Sequence, residues 1–344
     1  MKRISIIGGG RWSRVIADTL LNLRNITFSI SMHSPSGMES LESWVSLNDQ
    51  RKKIKLLKDL TFDKENLNTD AAIVVNRASD HYSTAVSMLD ARIPVLVEKP
   101  IALTGDGVDK LTTLAKKNRT FLYASNVFLF QEEFVNFKER VQNSKTVKKI
   151  KLFWTDPVRE IRYGESKTYD ESLNIVDDVI SHVLPMIQSL HEAAMMLKDI
   201  DVKLGGASVD ILLVTENAEV VIHLAREAEK RQRSIFVETE HETFYFDFAT
   251  EPATLTVQLG EKCETLKLPQ KTRPMRSMLQ MFLDNVVNGS IDPRMSPALA
   301  ANAMHLADEI RPLYLELQEQ WLNGNHLKEM GDGKLYAMRE RGLA

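Results

Sequence analysis

The fold is decided near the N-terminus by the stretch Ile4-Ser5-Ile6-Ile7-Gly8-Gly9-Gly10-Arg11-Trp12-Ser13-Arg14-Val15-Ile16-Ala17. A short apolar run stops at three glycines, and a helical pattern follows at once. In a dinucleotide-binding turn, the first glycine permits the tight turn and the second lets the backbone approach the pyrophosphate at the helix N-terminus. Gly8 and Gly10 take these two positions, and Ser13 replaces the third glycine of the motif. A structural glycine turn in another kind of α/β protein remains the alternative.

A second strand is predicted over residues 26–32, and it leads into His33 and Ser34. An acidic residue at this point would bind the 2′-hydroxyl of the adenosine ribose and favour NAD. Histidine and serine can instead hydrogen-bond a 2′-phosphate. We therefore expect NADP as the preferred cofactor, with NAD as the other candidate. The alternative is that both residues only form a turn.

Two further apolar runs, residues 71–75 and 93–97, are typical of strands buried on both faces of a parallel sheet. The second run delivers Glu98, Lys99 and Pro100 at its carboxyl end. Because ligands of open α/β sheets bind at that end of the strands, Glu98 and Lys99 are placed to act. A solvated charge at a helix start is the alternative for Lys99. Pro100 stiffens the turn and allows a cis peptide bond.

A helical pattern over residues 172–184 places Asp178 and His182 four positions apart. At this spacing a carboxylate and an imidazole share one helix face. A neighbouring carboxylate orients the ring and favours its charged form, which suits a proton donor or acceptor. A surface pair on an amphipathic helix is the alternative.

The second half of the chain contains short strand patterns separated by turn formers. Residues 147–154 mix apolar and basic positions, as in a half-exposed antiparallel strand. Later strands are predicted over residues 209–214, 219–224, 233–238, 243–248 and 255–258, as a meander in one antiparallel sheet. Strands grouped without intervening helices favour an α+β domain. We therefore predict two domains, residues 1–123 and residues 124–344.

Composition excludes several classes of protein. The chain of 344 residues has 44 Lys and Arg against 47 Asp and Glu, a formal charge of −3, which argues against nucleic-acid or membrane-surface binding. Its one cysteine, Cys263, excludes an intrachain disulfide and a cysteine metal cluster, and we expect no metal. No apolar run reaches the roughly 18 residues of a membrane helix. We expect a cytoplasmic protein that binds a small-molecule substrate.

These segments together resemble the Gfo/Idh/MocA (glucose–fructose oxidoreductase / inositol dehydrogenase) family. The resemblance lies in residues 8–13, 71–81 and 95–102, and Asn76 and Arg77 depart from the Thr-Pro of the family pattern. It continues through residues 121–126 and 150–157. The resemblance implies an N-terminal Rossmann domain, with a doubly wound parallel sheet, and a C-terminal α+β domain on a large, mostly antiparallel open sheet. That sheet commonly supports oligomer contacts in the family, so we expect a homodimer or homotetramer.

The resemblance also implies a reaction, in which hydride passes between a nicotinamide and a hydroxyl or carbonyl carbon of a sugar, sugar derivative or polyol. Lys99, His182 and Asp178 are the expected catalytic residues, and Pro185 stands where the family often has a further aspartate. Reduction of an imine or another unsaturated small molecule on the same fold is an alternative. So is a non-catalytic nucleotide-binding regulatory protein.

The remaining expected contacts fall into two groups. Those at the cofactor are Gly8, Gly10, Arg11, Trp12, Ser13, His33, Ser34, Asn76, Arg77, His81, Glu98 and Lys99. For Trp12, a packing role is equally open. Arg162, Lys167 and Tyr169, in a polar loop, could surround a polyol or an anionic substrate, and a solvated loop is the alternative.

Overall fold

The computed structural model describes residues 2–23, 28–49, 53–58, 68–144, 146–162, 165–166, 169–170 and 173–326. The chain forms two compact units. The first comprises residues 1–130 and 272–304, and the second comprises residues 131–271 and 305–344. Each unit has its own sheet.

The first unit is built on a six-stranded parallel sheet. Its strands are β1 (Lys2–Ile7), β2 (Phe28–His33), β3 (Ile54–Leu57), β4 (Ala71–Val74), β5 (Val95–Val97) and β6 (Leu122–Ala124), in the order β3-β2-β1-β4-β5-β6. The helices between them are α1 (Arg11–Leu21), α2 (Met38–Asn48), α3 (Ala78–Asp90) and α4 (Gly105–Lys117). The side chains of β4 and β5 are all buried, which explains their continuous apolar sequences. The predicted doubly wound sheet is confirmed.

The order of strands reverses between β1 and β4, and Gly8 lies at this point. Its φ is +139°, and a Cβ atom there would lie 2.5 Å from the carbonyl oxygen of Val75, the residue after β4. The amide of Gly8 donates to the carbonyl of His33 at 2.9 Å. The turn is therefore held against the ends of both β2 and β4, and only glycine fits it.

The helix after β4 differs from the sequence prediction. We expected a loop over residues 76–81 and a helix from Tyr82, whereas α3 begins at Ala78. His81 thus lies in the first turn of this helix. Ser79 and Asp80, which tolerate both a turn and the start of a helix, hid the boundary.

The second unit is built on an eight-stranded sheet. Its strands are β7 (Val147–Pro157), β10 (Met196–Lys203), β11 (Ser208–Val214), β12 (Glu219–Ala228), β13 (Gln232–Thr239), β14 (Glu242–Asp247), β15 (Ala253–Leu259) and β16 (Lys262–Leu268). Between β7 and β10 along the chain, β8 (Ile161–Arg162) and β9 (Glu165–Ser166) form a separate pair. The helices are α5 (Glu132–Asn143) and α6 (Ile175–Leu190), and α6 packs on β7 and β12. The predicted α+β class with a large, mostly antiparallel sheet is confirmed.

The predicted meander is wrong at one point. The sheet order is β10-β11-β12-β7-β13-β14-β15-β16, so β7 separates β12 from β13. β7 alternates buried and partly exposed residues as predicted, but it is a central strand, parallel to β12 and antiparallel to β13, rather than a purely antiparallel one. Consecutive strands usually pair, which is why the sequence favoured a β12–β13 hairpin. The strands β10 and β16 were not predicted, because edge strands carry charged and exposed residues that break the apolar pattern.

Two long helices follow the second sheet. Helix α7 (Pro274–Asn288) belongs to the first unit, and α8 (Pro297–His326) begins in the first unit and continues in the second. Across the described ranges, no helix combines the length and apolar character needed to cross a membrane.

The Gly8 turn generates a stability prediction. Replacement Gly8→Ala should lower the free energy of unfolding of the first unit by about 2–4 kcal/mol, because it adds both a clash and an unfavourable φ. Urea unfolding followed by circular dichroism measures this. The control is Gly10→Ala, since a Cβ atom at Gly10 would meet nothing within 4 Å and should change stability little. Equal stabilities of the two variants would contradict the assigned constraint.

Candidate active site

Four of the predicted cofactor segments lie at one edge of the parallel sheet. The glycine turn follows β1, His33 ends β2, Asn76 lies just beyond β4, and Glu98 follows β5. Because these strands are parallel, their carboxyl ends meet on the same side, where open α/β sheets bind ligands. The topology thus brings together the part of the site that belongs to the first unit.

The start of α1 has the features of an anion site. Gly10 is the N-cap residue and makes no side-chain cap, and the space beside its Cα is open. Ser13 is buried, and its hydroxyl donates to the carbonyl of Gly10 at 2.6 Å. The amides of the first helical turn have no partner within a helix and carry its positive end. The pyrophosphate of a dinucleotide fits this turn, with Arg11 and the 40% exposed Trp12 beside it.

The end of β2 is more closed than the sequence suggested. His33 and Ser34 are 4% and 2% exposed, and the Ser34 hydroxyl donates to the carbonyl of Ser36 at 2.5 Å. A Cβ atom on Gly9 would overlap the Ser34 side chain, so the glycine makes room for it. Ser36 is the exposed hydroxyl of this turn and was missed from the sequence. Residues 33–37 contain no carboxylate.

His81 connects the loop after β4 to the turn after β5. Its Nδ1 lies 2.8 Å from the carbonyl oxygen of Pro100, and its Nε2 lies 3.2 Å from that of Asn76. The Asn76 amide in turn donates to the hydroxyl of Thr84 at 2.9 Å. Burial lowers the pKa of His81, so the ring is neutral and its single N–H donates to one of the two carbonyls. The buried ring lies between the two loops as a brace. Arg77, the N-cap residue of α3, is exposed beside it.

Glu98 and Lys99 are held by the same turn. The Lys99–Pro100 peptide bond is cis, as the sequence allowed. The hydroxyl of Ser125 donates to Glu98 Oε1 at 2.6 Å, and the Lys99 amide donates to Glu98 Oε2 at 3.2 Å. Ser125 was missed from the sequence, although its position after β6 at the same sheet edge is a usable signal.

Asp178 and His182 lie in the second unit, on α6, as the helical spacing predicted. The guanidinium of Arg226, on β12, donates to Asp178 Oδ2 at 3.1 Å and lies 4.4 Å from the ring centre of Tyr169. Arg226 is 7% exposed. Burial raises the pKa of the Tyr169 hydroxyl, which is therefore neutral and can donate a hydrogen bond. Pro185 lies inside α6.

His182 stacks on Trp154, a residue of β7. Their ring centres are 5.5 Å apart and their planes are inclined by 19°. The guanidinium of Arg233 lies 3.8 Å from the Trp154 ring centre and donates to Asp156 Oδ1 at 2.5 Å. Arg233 and Asp156 are both buried. A buried ion pair thus lies next to the ring that supports His182.

These partners of Asp178 and His182 were not predicted from the sequence, although the alternation of buried and exposed positions along the strands indicates which side chains face inward. Trp154 and Asp156 continue the buried face of β7 formed by Ile150 and Leu152, and Arg226 continues the buried face of β12. Polar residues at the end of an inward-facing row are candidates for a site. Of the expected substrate contacts, Tyr169 packs on Arg226, whereas Lys167 and the side chain of Arg162 lie outside the described residues.

Residues 2–125 match the family described as "Oxidoreductase family, NAD-binding Rossmann fold" (GFO_IDH_MocA). Human biliverdin reductase A is 30% identical over 95 residues, which is 28% of this chain and 32% of that enzyme. The aligned part of the chain thus spans about a third of this relative. The match over residues 2–125 confirms, for this part of the chain, the resemblance to the Gfo/Idh/MocA oxidoreductases seen in the sequence.

Solved structures share the whole two-unit fold. UDP-N-acetylglucosamine 3-dehydrogenase GnnA from Acidithiobacillus ferrooxidans aligns with a TM-score of 0.75 at 14% identity, covering 92% of this chain and 99% of that chain. The 3-ketoreductase KijD10 from Actinomadura kijaniata, in complex with TDP-benzene and NADP, aligns with a TM-score of 0.75 at 13% identity, covering 89% and 96%. At these sequence identities the similarity shows a shared fold alone.

The His81 brace generates a prediction on pH. Because burial lowers the pKa of His81, the folded protein binds fewer protons than the unfolded chain below the ordinary histidine pKa of about 6.5. The stabilisation that comes from the neutral His81 ring is therefore complete above the ordinary histidine pKa, and it is lost as the pH falls through the lowered pKa of the folded protein. His81→Asn should therefore flatten the decline in urea stability between about pH 8 and about pH 5. An exposed histidine, replaced as His241→Asn, serves as the control. A slope unchanged by His81→Asn would show that the ring is not a neutral brace.

Proposed function

We propose that the chain is an NAD(P)-dependent oxidoreductase that interconverts a hydroxyl and a carbonyl group on a sugar, sugar derivative or polyol. The observation that carries the proposal is the open, uncapped start of α1 at Gly10, with Glu98 and Lys99 at the same edge of the parallel sheet. The anion site suits the pyrophosphate of a dinucleotide, and the lysine suits a group that polarises a substrate bound beside the cofactor. The family match over residues 2–125, the sugar-nucleotide dehydrogenase name of GnnA and the ketoreductase name of KijD10 support this class of reaction.

The cofactor would be held by residues of the first unit. The turn from Gly8 to Ser13 would receive the pyrophosphate, and the loops at Ser34 and Asn76 would flank the remainder. The nicotinamide, when bound, accepts or supplies the hydride. We propose NADP as the preferred form, since residues 33–37 offer hydroxyls and no carboxylate, and KijD10 was crystallised with NADP.

The proton chemistry is assigned to three side chains. His182 takes the proton of the substrate hydroxyl when the alcohol is oxidised and returns it when the carbonyl is reduced. The Lys99 amine donates a hydrogen bond to the hydroxyl or carbonyl oxygen of the substrate and stabilises the negative charge that develops on it. Asp178, held by Arg226, orients His182 or accepts a hydrogen bond from a neighbouring substrate hydroxyl.

A second candidate is the reduction of an imine or another unsaturated small molecule. The match to biliverdin reductase A favours it, because the name of that enzyme denotes a reductase of an unsaturated pigment. Oxidation of NADPH measured against a panel of sugars, inositols and imines separates the two candidates. Nucleotide binding without turnover across the whole panel would instead favour a regulatory protein.

We also propose a homodimer or homotetramer formed through the large sheet, within the cytoplasm. The side chains on one face of the sheet point away from the buried core. Phe153, Phe236 and the 39% exposed Tyr245 lie on this face, and aromatic side chains are common in protein interfaces.

The role of Lys99 generates the next prediction. Lys99→Met should lower kcat by about 10²-fold, because it removes a donor from the reacting oxygen while the methionine keeps the length of the side chain. Steady-state kinetics on the best substrate of the panel measures this, with circular dichroism as the check on folding. Lys117→Met, at an exposed position of α4, is the matched control. A loss of less than tenfold in a folded Lys99→Met variant would refute the role.

A double variant tests whether Lys99 and His182 serve one step. If they do, Lys99→Met combined with His182→Gln should be little slower than the more impaired single variant, because residues that act as a unit are not additive. Multiplied losses would indicate independent effects and would contradict a shared step.

The cofactor preference generates a further prediction. NADP should raise the melting temperature more than NAD at matched concentration, because a ligand stabilises the folded state in proportion to its affinity. Ser36→Asp should reverse the order, since a carboxylate at this turn repels a 2′-phosphate and accepts from a ribose hydroxyl. Equal shifts for the wild-type protein would overturn the preference for NADP.

A further inference from the structure

The orientation of His182 depends on one aromatic residue. The imidazole is half-buried on α6 and lies against the indole of Trp154, with 5.5 Å between ring centres and 19° between planes. This is the geometry of an offset stack. Trp154 is 6% exposed, so its indole is part of the core of the second unit rather than a surface side chain.

The cationic guanidinium of Arg233 packs against the indole and fixes it. The guanidinium lies 3.8 Å from the indole centre, donates to the carbonyl of Thr155 at 2.6 Å and pairs with Asp156 at 2.5 Å. The side chains of Arg233 and Asp156 are 1% and 5% exposed. A guanidinium held by this many bonds in a buried position cannot change rotamer without breaking them.

The indole is also fixed by the aromatic core. Its ring meets Phe248 at 6.4 Å in an edge-on contact, and Phe248 stacks on Phe246 at 5.2 Å. Phe246 stacks in turn on Phe137 of α5 at 4.8 Å. The surface that His182 contacts is therefore the end of a continuous row of packed rings.

A fixed aromatic surface restricts a histidine in a way that a hydrogen bond alone does not. A side chain on a helix has more than one allowed rotamer, whereas a proton donor must be held within about 0.5 Å of its productive position. Stacking selects the rotamer that lies parallel to the indole. The charged groups nearby are paired as Arg233 with Asp156 and Arg226 with Asp178, so the surface supplies orientation more than net charge.

We propose that Trp154, held by the Arg233–Asp156 pair, is a positioning residue for His182. The inference rests on the proposed function, in which His182 moves the proton. It adds a residue that contacts neither substrate nor cofactor and acts through the imidazole.

The first measurement needs no substrate. NMR spectra of the full chain with isotope-labelled histidine report each ring, and His182→Gln identifies the signal of His182. Trp154→Leu should move this signal to the position of an unstacked imidazole, because the ring current of the indole is lost, and Trp154→Phe should restore part of the displacement. The matched control is Phe153→Leu, the neighbouring residue of β7, whose ring centre lies 5.8 Å from that of His223. It should move the His223 signal and leave the His182 signal in place.

The second measurement is kinetic. Trp154→Leu should lower kcat by about 10–100-fold with little change in the KM of the cofactor, because a misplaced proton donor slows the chemical step. Trp154→Phe should recover most of the rate, and the exposed control variant Lys117→Met should retain it. Rescue by the aromatic variant distinguishes positioning from a general loss of structure.

The outcomes separate this inference from the proposed function. If Trp154→Leu leaves both the His182 signal and kcat unchanged while His182→Gln abolishes turnover, the function stands and the positioning role is overturned. If His182→Gln retains full activity, the proposed role of His182 is wrong, and the positioning role falls with it. A displaced His182 signal together with a kcat restored by phenylalanine supports the inference.

Discussion

No side chain fits at residue 8, and the arrangement of the first unit depends on this constraint. The carbonyl oxygen of Val75 occupies the place where a Cβ atom would lie, so the end of β1 packs directly against the end of β4. These are the two strands between which the order of the sheet reverses. The space beside Gly10, where α1 begins without a side-chain cap, is open. The binding turn and the switch point of the sheet are consequences of one close backbone approach.

The parallel sheet of the first unit, apart from β3, could be predicted from the sequence because its information is local. Strands such as β4 and β5 are buried on both faces and leave continuous apolar runs, and each is followed by the residues that its carboxyl end presents. The second sheet was predicted only in part. The insertion of β7 between β12 and β13 is a pairing between segments far apart in the chain, and it leaves no pattern in either segment alone. The position of a central strand is therefore a property of the folded unit.

The same distinction applies to the candidate site. Lys99 and the Asp178–His182 pair were proposed from the sequence because each follows from a local rule, the end of a strand or the spacing of a helix. Arg226 and Arg233 were missed because their importance comes from partners on other elements, Asp178 on α6 and Asp156 on β7. Their inward direction was readable from strand alternation, whereas the pairing of their charges was not. Sequence patterns thus found the groups assigned to chemistry and missed the groups that hold them.

The pairing of these charges bears on the kind of substrate that the second unit suits. Each buried arginine next to the Asp178–His182 helix is already bonded to an aspartate, and Arg226 and Arg233 are 7% and 1% exposed. Recruiting Arg233 to an anionic ligand would leave the buried carboxylate of Asp156 without its partner, which is strongly unfavourable, whereas Asp178, the partner of Arg226, is 23% exposed. The polar groups of this region that can change partners at lower cost are the imidazole of His182 and the hydroxyl of Tyr169. Both hydrogen-bond to hydroxyl groups, so these two side chains can contact a ligand without separating either arginine from its aspartate.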